Sequence, residues 1–172
     1  MEHCLELLLT RRSVRKFKRD EVSDEILRKV LDVARFAPSA RNSQPWEFVV
    51  VKDEKLKEEL GKVHKYAYPI LNAPLAVVVL CDPRASPNSY LVDCANAATY
   101  LMLAAHSLGL GSVWIQSLRD VERINEIIGA PEGKVPVAII ALGYPDERPQ
   151  APKRKDLWEL VHFNKYGKKW SL

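Results

Sequence analysis

The chain has 172 residues, 47% of them hydrophobic and 28% charged. That suits one domain with a real apolar core and excludes disorder over most of the length. The formal net charge is +4, but six basic side chains fall within RRSVRKFKR (11–19) and three within KRK (153–155); of the 26 Lys and Arg, 17 then remain against 22 Asp and Glu. Charge concentrated in this way suits an anionic ligand or a nucleic-acid surface, and composition leaves both open. The three cysteines, Cys4, Cys81 and Cys94, show neither zinc spacing nor a disulfide framework, so a reducing cytoplasm is expected. The opening MEHCLELLLTRRS is not expected to be a secretory signal, because its basic residues follow the apolar run. The apolar stretch 95–110 is too short and too polar for a bilayer span.

In chain order, residues 3–10 form a short helix with Leu5, Leu8 and Leu9 on one side. Ser23 caps a second helix, in which Ile26, Val30 and Val33 recur at helical spacing up to Pro38. The polar stretch PSARNSQP (38–45) is a loop between two prolines, and WEFVVV (46–51) is a strand. Residues 53–65 return to helical periodicity, with an interruption at Gly61. The continuous run LAVVVLC (75–81) predicts a strand buried on both faces. Residues 93–108 predict a helix that is apolar nearly all round, for the interior or a subunit interface, ended by Gly109. SVWIQ (112–116) is a short strand or an extended connection, 120–128 a helix and VPVAIIALGY (135–144) a buried strand. Beyond Pro145 the chain is rich in proline and charge, with LWELVHF (157–163) available to pack on a partner. The alternation predicts an α/β or α+β protein, a central sheet covered by helices, forming a single domain over 1–172.

Four segments carry chemistry. Arg11-Arg12-Ser13-Val14-Arg15 offers guanidinium forks and a hydroxyl that suit a phosphate, and equally describes a solvated basic turn. Pro38-Ser39-Ala40-Arg41-Asn42-Ser43-Gln44-Pro45 presents amides able to donate and accept at the edge of a heteroaromatic ring, although it also reads as a stiff turn. Gly109-Leu110-Gly111-Ser112-Val113-Trp114-Ile115-Gln116 lacks the third glycine of a dinucleotide fingerprint and follows a helix, so that reading is rejected; its glycines still permit close backbone approach to a flat ligand. Lys153-Arg154-Lys155 alone is an ordinary solvated run.

Together these motifs resemble the nitroreductase family of FMN enzymes, in the right order from about residue 8 to 166. RRSVRKF resembles the family's phosphate-binding opening, PSARNSQPWEFVVV its loop before Pro-Trp and a strand, LGLGSVWI its flavin-contact turn, and GYPDERPQAPKRKDLWELVHF its closing segment. The resemblance implies a mixed β-sheet covered by helices in an intertwined homodimer, with 145–172 an arm on the partner. It implies FMN as cofactor, its phosphate and ribityl end held by Arg11, Arg12 and Ser13 with Lys153, Arg154 and Lys155. Arg15 would sit at the N1–C2 edge of the ring, and a backbone N–H among Trp114, Ile115 and Gln116 near N5. Pro38, Ser39, Asn42 and Gln44 would approach from the other subunit. Tyr66 and Tyr68 are further pocket candidates, whereas His64, His106 and His162 are expected to be structural or exposed. The implied activity is hydride transfer from NAD(P)H through flavin to a nitroaromatic, quinone or similar acceptor by a ping-pong scheme, in which no protein side chain is the nucleophile and neither metal, membrane nor nucleic acid takes part. The alternatives are a flavin-based reductive dehalogenase, a flavin-degrading relative, or a non-enzymatic flavin- or nucleic-acid-binding module.

Overall fold

The computed structural model describes residues 2–169. Its elements are α1 (Glu2–Thr10), α2 (Asp24–Ala34), β1 (Trp46–Val51), α3 (Glu54–Gly61), α4 (Pro69–Asn72), β2 (Leu75–Cys81), α5 (Tyr90–Ser107), β3 (Gly111–Gln116), α6 (Val121–Ile128), β4 (Val135–Gly143) and α7 (Leu157–Leu160). A 3-10 turn at Ala40–Asn42 interrupts the 38–45 loop.

The four strands lie in the order β1-β2-β4-β3, all antiparallel. The parallel component expected of a mixed sheet is confined, among the described residues, to the isolated bridge Ser13–Ser112. Strand–helix alternation in sequence does not itself dictate parallel pairing, because a long helix such as α5 can return the chain in either direction.

Both faces of this sheet are buried, and the strands show how. Along β2 the side chains alternate: Leu75, Val77, Val79 and Cys81 join a core with α2 and α5, while Ala76, Val78 and Leu80 join a second core with α3, α4 and α6. Period-two alternation sends neighbours to opposite faces, so a strand covered on both sides must be apolar throughout. In β4, Ile140 and Leu142 face the first core, and Ile139 and Ala141 the second. The result is a three-layer sandwich.

Local signals place the helices. Ser23 Oγ accepts the Ile26 amide at 3.3 Å, and Asp53 caps α3 through Leu56 at 3.0 Å. α2 ends at Ala34, before Pro38, and α3 ends at Gly61. α5 begins at Tyr90, a turn before the polar Asp93 where sequence starts it, because residues 86–89 form a turn that feeds directly into the helix. Cys81, at the end of β2, and Cys94, in the second turn of α5, are joined by a disulfide, which corrects the expectation of unpaired thiols. Sequence offers no spacing rule for a lone pair joining a strand end to a helix start.

Candidate active site

Residues 13–18 run along the edge of the sheet. The Val14 amide donates to Ser112 O at 3.0 Å, Lys18 N to Tyr144 O at 2.9 Å, and Asp146 N to Lys16 O at 2.9 Å. Glu147 adds a clamp, its carboxylate accepting the Arg15 amide at 2.5 Å and the Lys16 amide at 3.2 Å. The close approach of Val14 to β3 requires a glycine: a Cβ at Gly111 would lie 2.8 Å from Val14 Cβ. The Ser13–Ser112 bridge is a single parallel contact; Phe17 then pairs antiparallel with Pro145, past the Gly111–Gly143 end of the β3–β4 pairing. Arg11 and the Arg15 backbone therefore both lie toward the α5–β3 end of β3, beside Glu147, and Gln116 is at the far end.

At the Arg11 end there is a cavity of about 310 Å³, lined by Arg11, Arg12, His106, Gly111, Ser112 and Glu147 among others. Burial first, then the guanidiniums of Arg12 and Arg154, hold the Arg11 pKa below its ordinary value. Like charges drawn together at a half-buried position disfavour ionisation unless an anion joins them. Arg12 turns back on its own segment, donating to Leu9 O at 2.7 Å and Arg11 O at 2.8 Å. His106, at the end of α5, hydrogen-bonds Thr10 Oγ1 at 3.0 Å; burial, then Arg11 and Arg12, push its pKa down.

At the other end, Ile115 is buried at 3% exposure with its side chain in the second core, so only its backbone faces outward. Trp114 packs on the first core, and Gln116 is exposed. His64 Nε2 donates to Gln116 O at 2.7 Å while its Nδ1 accepts the Tyr66 amide at 3.2 Å. The two contacts fix one tautomer and pin the Gln116 peptide. Tyr66 and Tyr68 are exposed nearby in sequence.

The 38–45 loop is strained. Arg41, Asn42 and Gln44 have φ of 54°, 55° and 46°, a region costing about 1 kcal/mol or more per non-glycine residue. Several bonds hold it. Ser39 Oγ accepts the Gln44 amide at 3.0 Å, Asn96 Nδ2 donates to Pro38 O at 3.2 Å, and Asp82 N donates to Pro45 O at 2.9 Å. Asp93 accepts the Ala40 amide at 3.1 Å and the Ser86 hydroxyl at 2.6 Å. The Ser43 hydroxyl is buried with no hydrogen-bond partner among the described residues.

The structure therefore brings Arg11 and Arg12 to one cavity, with Ser13 next in sequence and Arg154 near enough to act on the Arg11 charge, and it holds the Arg15 backbone beside Glu147 at that same end of β3. Lys153 and Lys155 are exposed on the arm, and neither is among the described residues that line the cavity. Within one chain, Ser39, Asn42 and Gln44 belong to a separate loop at the start of α5 and lie outside the Arg11 cavity. Sequence reading missed Glu147, His64 as the holder of Gln116, and Asp93. A carboxylate on an otherwise apolar helix was the visible signal for Asp93.

A three-layer sandwich with a cationic sheet edge and a strained loop between α2 and β1 has counterparts among solved structures. An FMN-dependent nitroreductase from Clostridium difficile R20291 superposes with a TM-score of 0.87 at 36% identity, over 94% of this chain and 99% of that one. The NADPH:FMN oxidoreductase of Vibrio harveyi, solved with NAD+, gives 0.87 at 27% identity, over 96% and 78%. A protein of Methanothermobacter thermautotrophicus named "Putative NADH dehydrogenase/NAD(P)H nitroreductase" is 40% identical over 94% of this chain and 87% of its own length. The Nitroreductase family profile matches residues 8–90 and 62–144, and the chain belongs to that family.

Proposed function

We propose that the chain is an FMN-dependent oxidoreductase that takes reducing equivalents from NAD(P)H and delivers them to a nitroaromatic, quinone or similar acceptor. The observation that carries this reading is the gathering of guanidiniums at one cavity: Arg11, Arg12 and Arg148 line it, and Arg154 acts on the Arg11 charge. These cations outnumber the one carboxylate among the described residues of that lining, Glu147, and suit a phosphate monoester, which carries roughly −1.5 to −2 charge and accepts forked hydrogen bonds. Relatives named as an FMN-dependent nitroreductase and an NADPH:FMN oxidoreductase supply the cofactor's identity.

Bound FMN would supply a ring nitrogen that accepts and returns hydride. The residues of this chain bind and orient. Arg11 and Arg154, with Arg12 and the Ser13 hydroxyl, hold the phosphate end; Lys153 and Lys155 are carried on the same arm. Arg15, its amide clamped by Glu147 beside the same cavity, supplies a cation for the negative charge that collects on a reduced ring. The Trp114–Gln116 backbone, with its last peptide held by His64, presents the strand's outer edge to the ring. In this reading Pro38, Ser39, Asn42 and Gln44 reach the site of a second copy.

A homodimer is part of the proposal. Leu157, Trp158, Leu160 and Phe163 of the arm, and Val92 and Tyr100 of α5, are exposed in the single chain. So much exposed apolar surface is unusual for a monomer and suits a subunit interface. The single domain and a cytoplasmic location complete the reading. Among the described residues no helix is long and apolar enough to cross a membrane.

The test is spectroscopic. Purified protein loaded with FMN should lose its visible flavin band when NADH or NADPH is added without oxygen, and regain it on addition of a nitroaromatic or quinone. Protein that takes up no FMN, or whose flavin band neither nicotinamide bleaches, overturns the reading.

A further inference from the structure

Asp93 is a carboxylate with no part in the binding roles above, yet it is only 3% exposed in a helix that is otherwise apolar on its buried side. Burying a charge is costly unless hydrogen bonds replace its water. Here both oxygens are used: Oδ1 accepts the Ala40 amide at 3.1 Å and Oδ2 the Ser86 hydroxyl at 2.6 Å. Ala40 begins the turn that carries the three left-handed residues Arg41, Asn42 and Gln44. Their conformation persists only if the surroundings over-determine it, and Asp93 is the charged group among those surroundings.

Asp93 is itself held rigidly. Its own amide donates to Ser89 O at 2.8 Å, and the next residue, Cys94, is tied to the end of β2 by the disulfide. One turn along the same helix, Asn96 grips Pro38 O. The start of α5 thus forms a template onto which the 38–45 loop is fastened at two backbone atoms, Pro38 O and Ala40 N.

We propose that Asp93 is a positioning residue for the flavin site: it holds the 38–45 loop in the strained shape in which Ser39, Asn42 and Gln44 meet the ring. This rests on the FMN reading above. The carboxylate touches neither cofactor nor substrate; it acts through the Ala40 amide. A charged acceptor strengthens the anchor against the loop's left-handed residues, because hydrogen bonds to ionised groups are about twice as strong as neutral ones.

The test compares Asp93→Asn, Asp93→Ala and Ser86→Ala, with Leu101→Ala as a control that weakens the same helix far from the loop. Two readouts are taken. The first needs no flavin: trypsin cleavage after Arg41, which is exposed in the loop, is followed in the apoprotein. Loss of the anchor should speed cleavage by about tenfold in Asp93→Ala, with less in Asp93→Asn and Ser86→Ala. The second is the affinity for FMN together with the visible circular dichroism of the bound flavin. Affinity should fall by about tenfold in Asp93→Ala and partly recover in Asp93→Asn, with an altered dichroic spectrum in both; Leu101→Ala should lower the melting temperature and leave the spectrum unchanged. Should Asp93→Ala fail to fold, Asp93→Asn and Ser86→Ala carry both comparisons. Faster cleavage with unaltered FMN affinity and dichroism overturns the positioning role while leaving the FMN reading intact. Unaltered cleavage overturns the anchor. Wild-type protein that binds no FMN overturns the FMN reading, and this role with it.

Discussion

Replacing Gly111 with alanine tests how the cationic segment is seated. The added Cβ would lie 2.8 Å from Val14 Cβ and 2.9 Å from both of its γ-carbons. Normal carbon contacts are about 3.5–4.0 Å, so Val14 must retreat by more than half an ångström. It has little room, being 6% exposed and packed in the second core. Overpacking of this kind costs about 1–3 kcal/mol, which for a domain of this size lowers the melting temperature by about 2–12 °C. The retreat also stretches the 3.0 Å Val14–Ser112 bond and shifts Arg11 and Arg15 with it. Calorimetry and FMN titration of Gly111→Ala should both register the change. The double variant Gly111→Ala/Val14→Ala, which removes two of the three close carbons, should recover part of the stability. Wild-type melting and FMN affinity in Gly111→Ala would show that the segment does not lie against β3 as described.

Further outcomes follow from other contacts. Ser23→Ala removes the cap on Ile26 and should cost about 1 kcal/mol in urea unfolding; no loss would mean that α2 starts elsewhere. Cys94→Ala opens the disulfide, whose partners are 13 residues apart; the chain-entropy account expects a loss of about 3 kcal/mol, and equal stability of oxidised and fully reduced wild-type protein would deny the bond. His106 has its pKa held down by burial and then by Arg11 and Arg12. The unfolded chain therefore takes up a proton that the folded chain resists. The contribution to stability is full above the unfolded value of about 6.5 and is lost as pH falls from there toward the folded value. Urea unfolding of the apoprotein at pH 7.5 and 5.5 should show that decline, and His106→Gln should reduce it.

Much of the fold is legible in sequence because its signals are local. The cap at Ser23, the run WEFVVV and the uniformly apolar LAVVVLC each state their own element, and β2 is buried on both faces as its composition demands. What escaped is set by tertiary contact. Whether the strands run parallel depends on how α5 crosses the sheet, and α4 is a single turn opened by Pro69, too short to show periodicity. The site divides in the same way. Arg11, Arg12 and Arg15 stand out as charge in a short segment, and the 38–45 loop stands out between its prolines. Glu147, His64 and Asp93 do not, since each acts on a backbone atom at least 50 residues away, and only the fold creates those pairs. Ile115 was legible as a position but not as a direction: a strand residue faces one side or the other, and its side chain faces the core.

The most direct measurement compares the affinities of the apoprotein for FMN and for riboflavin, which differ only by the phosphate, in the wild type and in Arg11→Ala and Arg154→Ala. If these guanidiniums from opposite ends of the chain share one phosphate, the wild type prefers FMN strongly, the preference weakens with added salt, and each substitution reduces it by about tenfold or more. Equal binding of FMN and riboflavin by the wild type, or an FMN preference that survives both substitutions, would contradict the account.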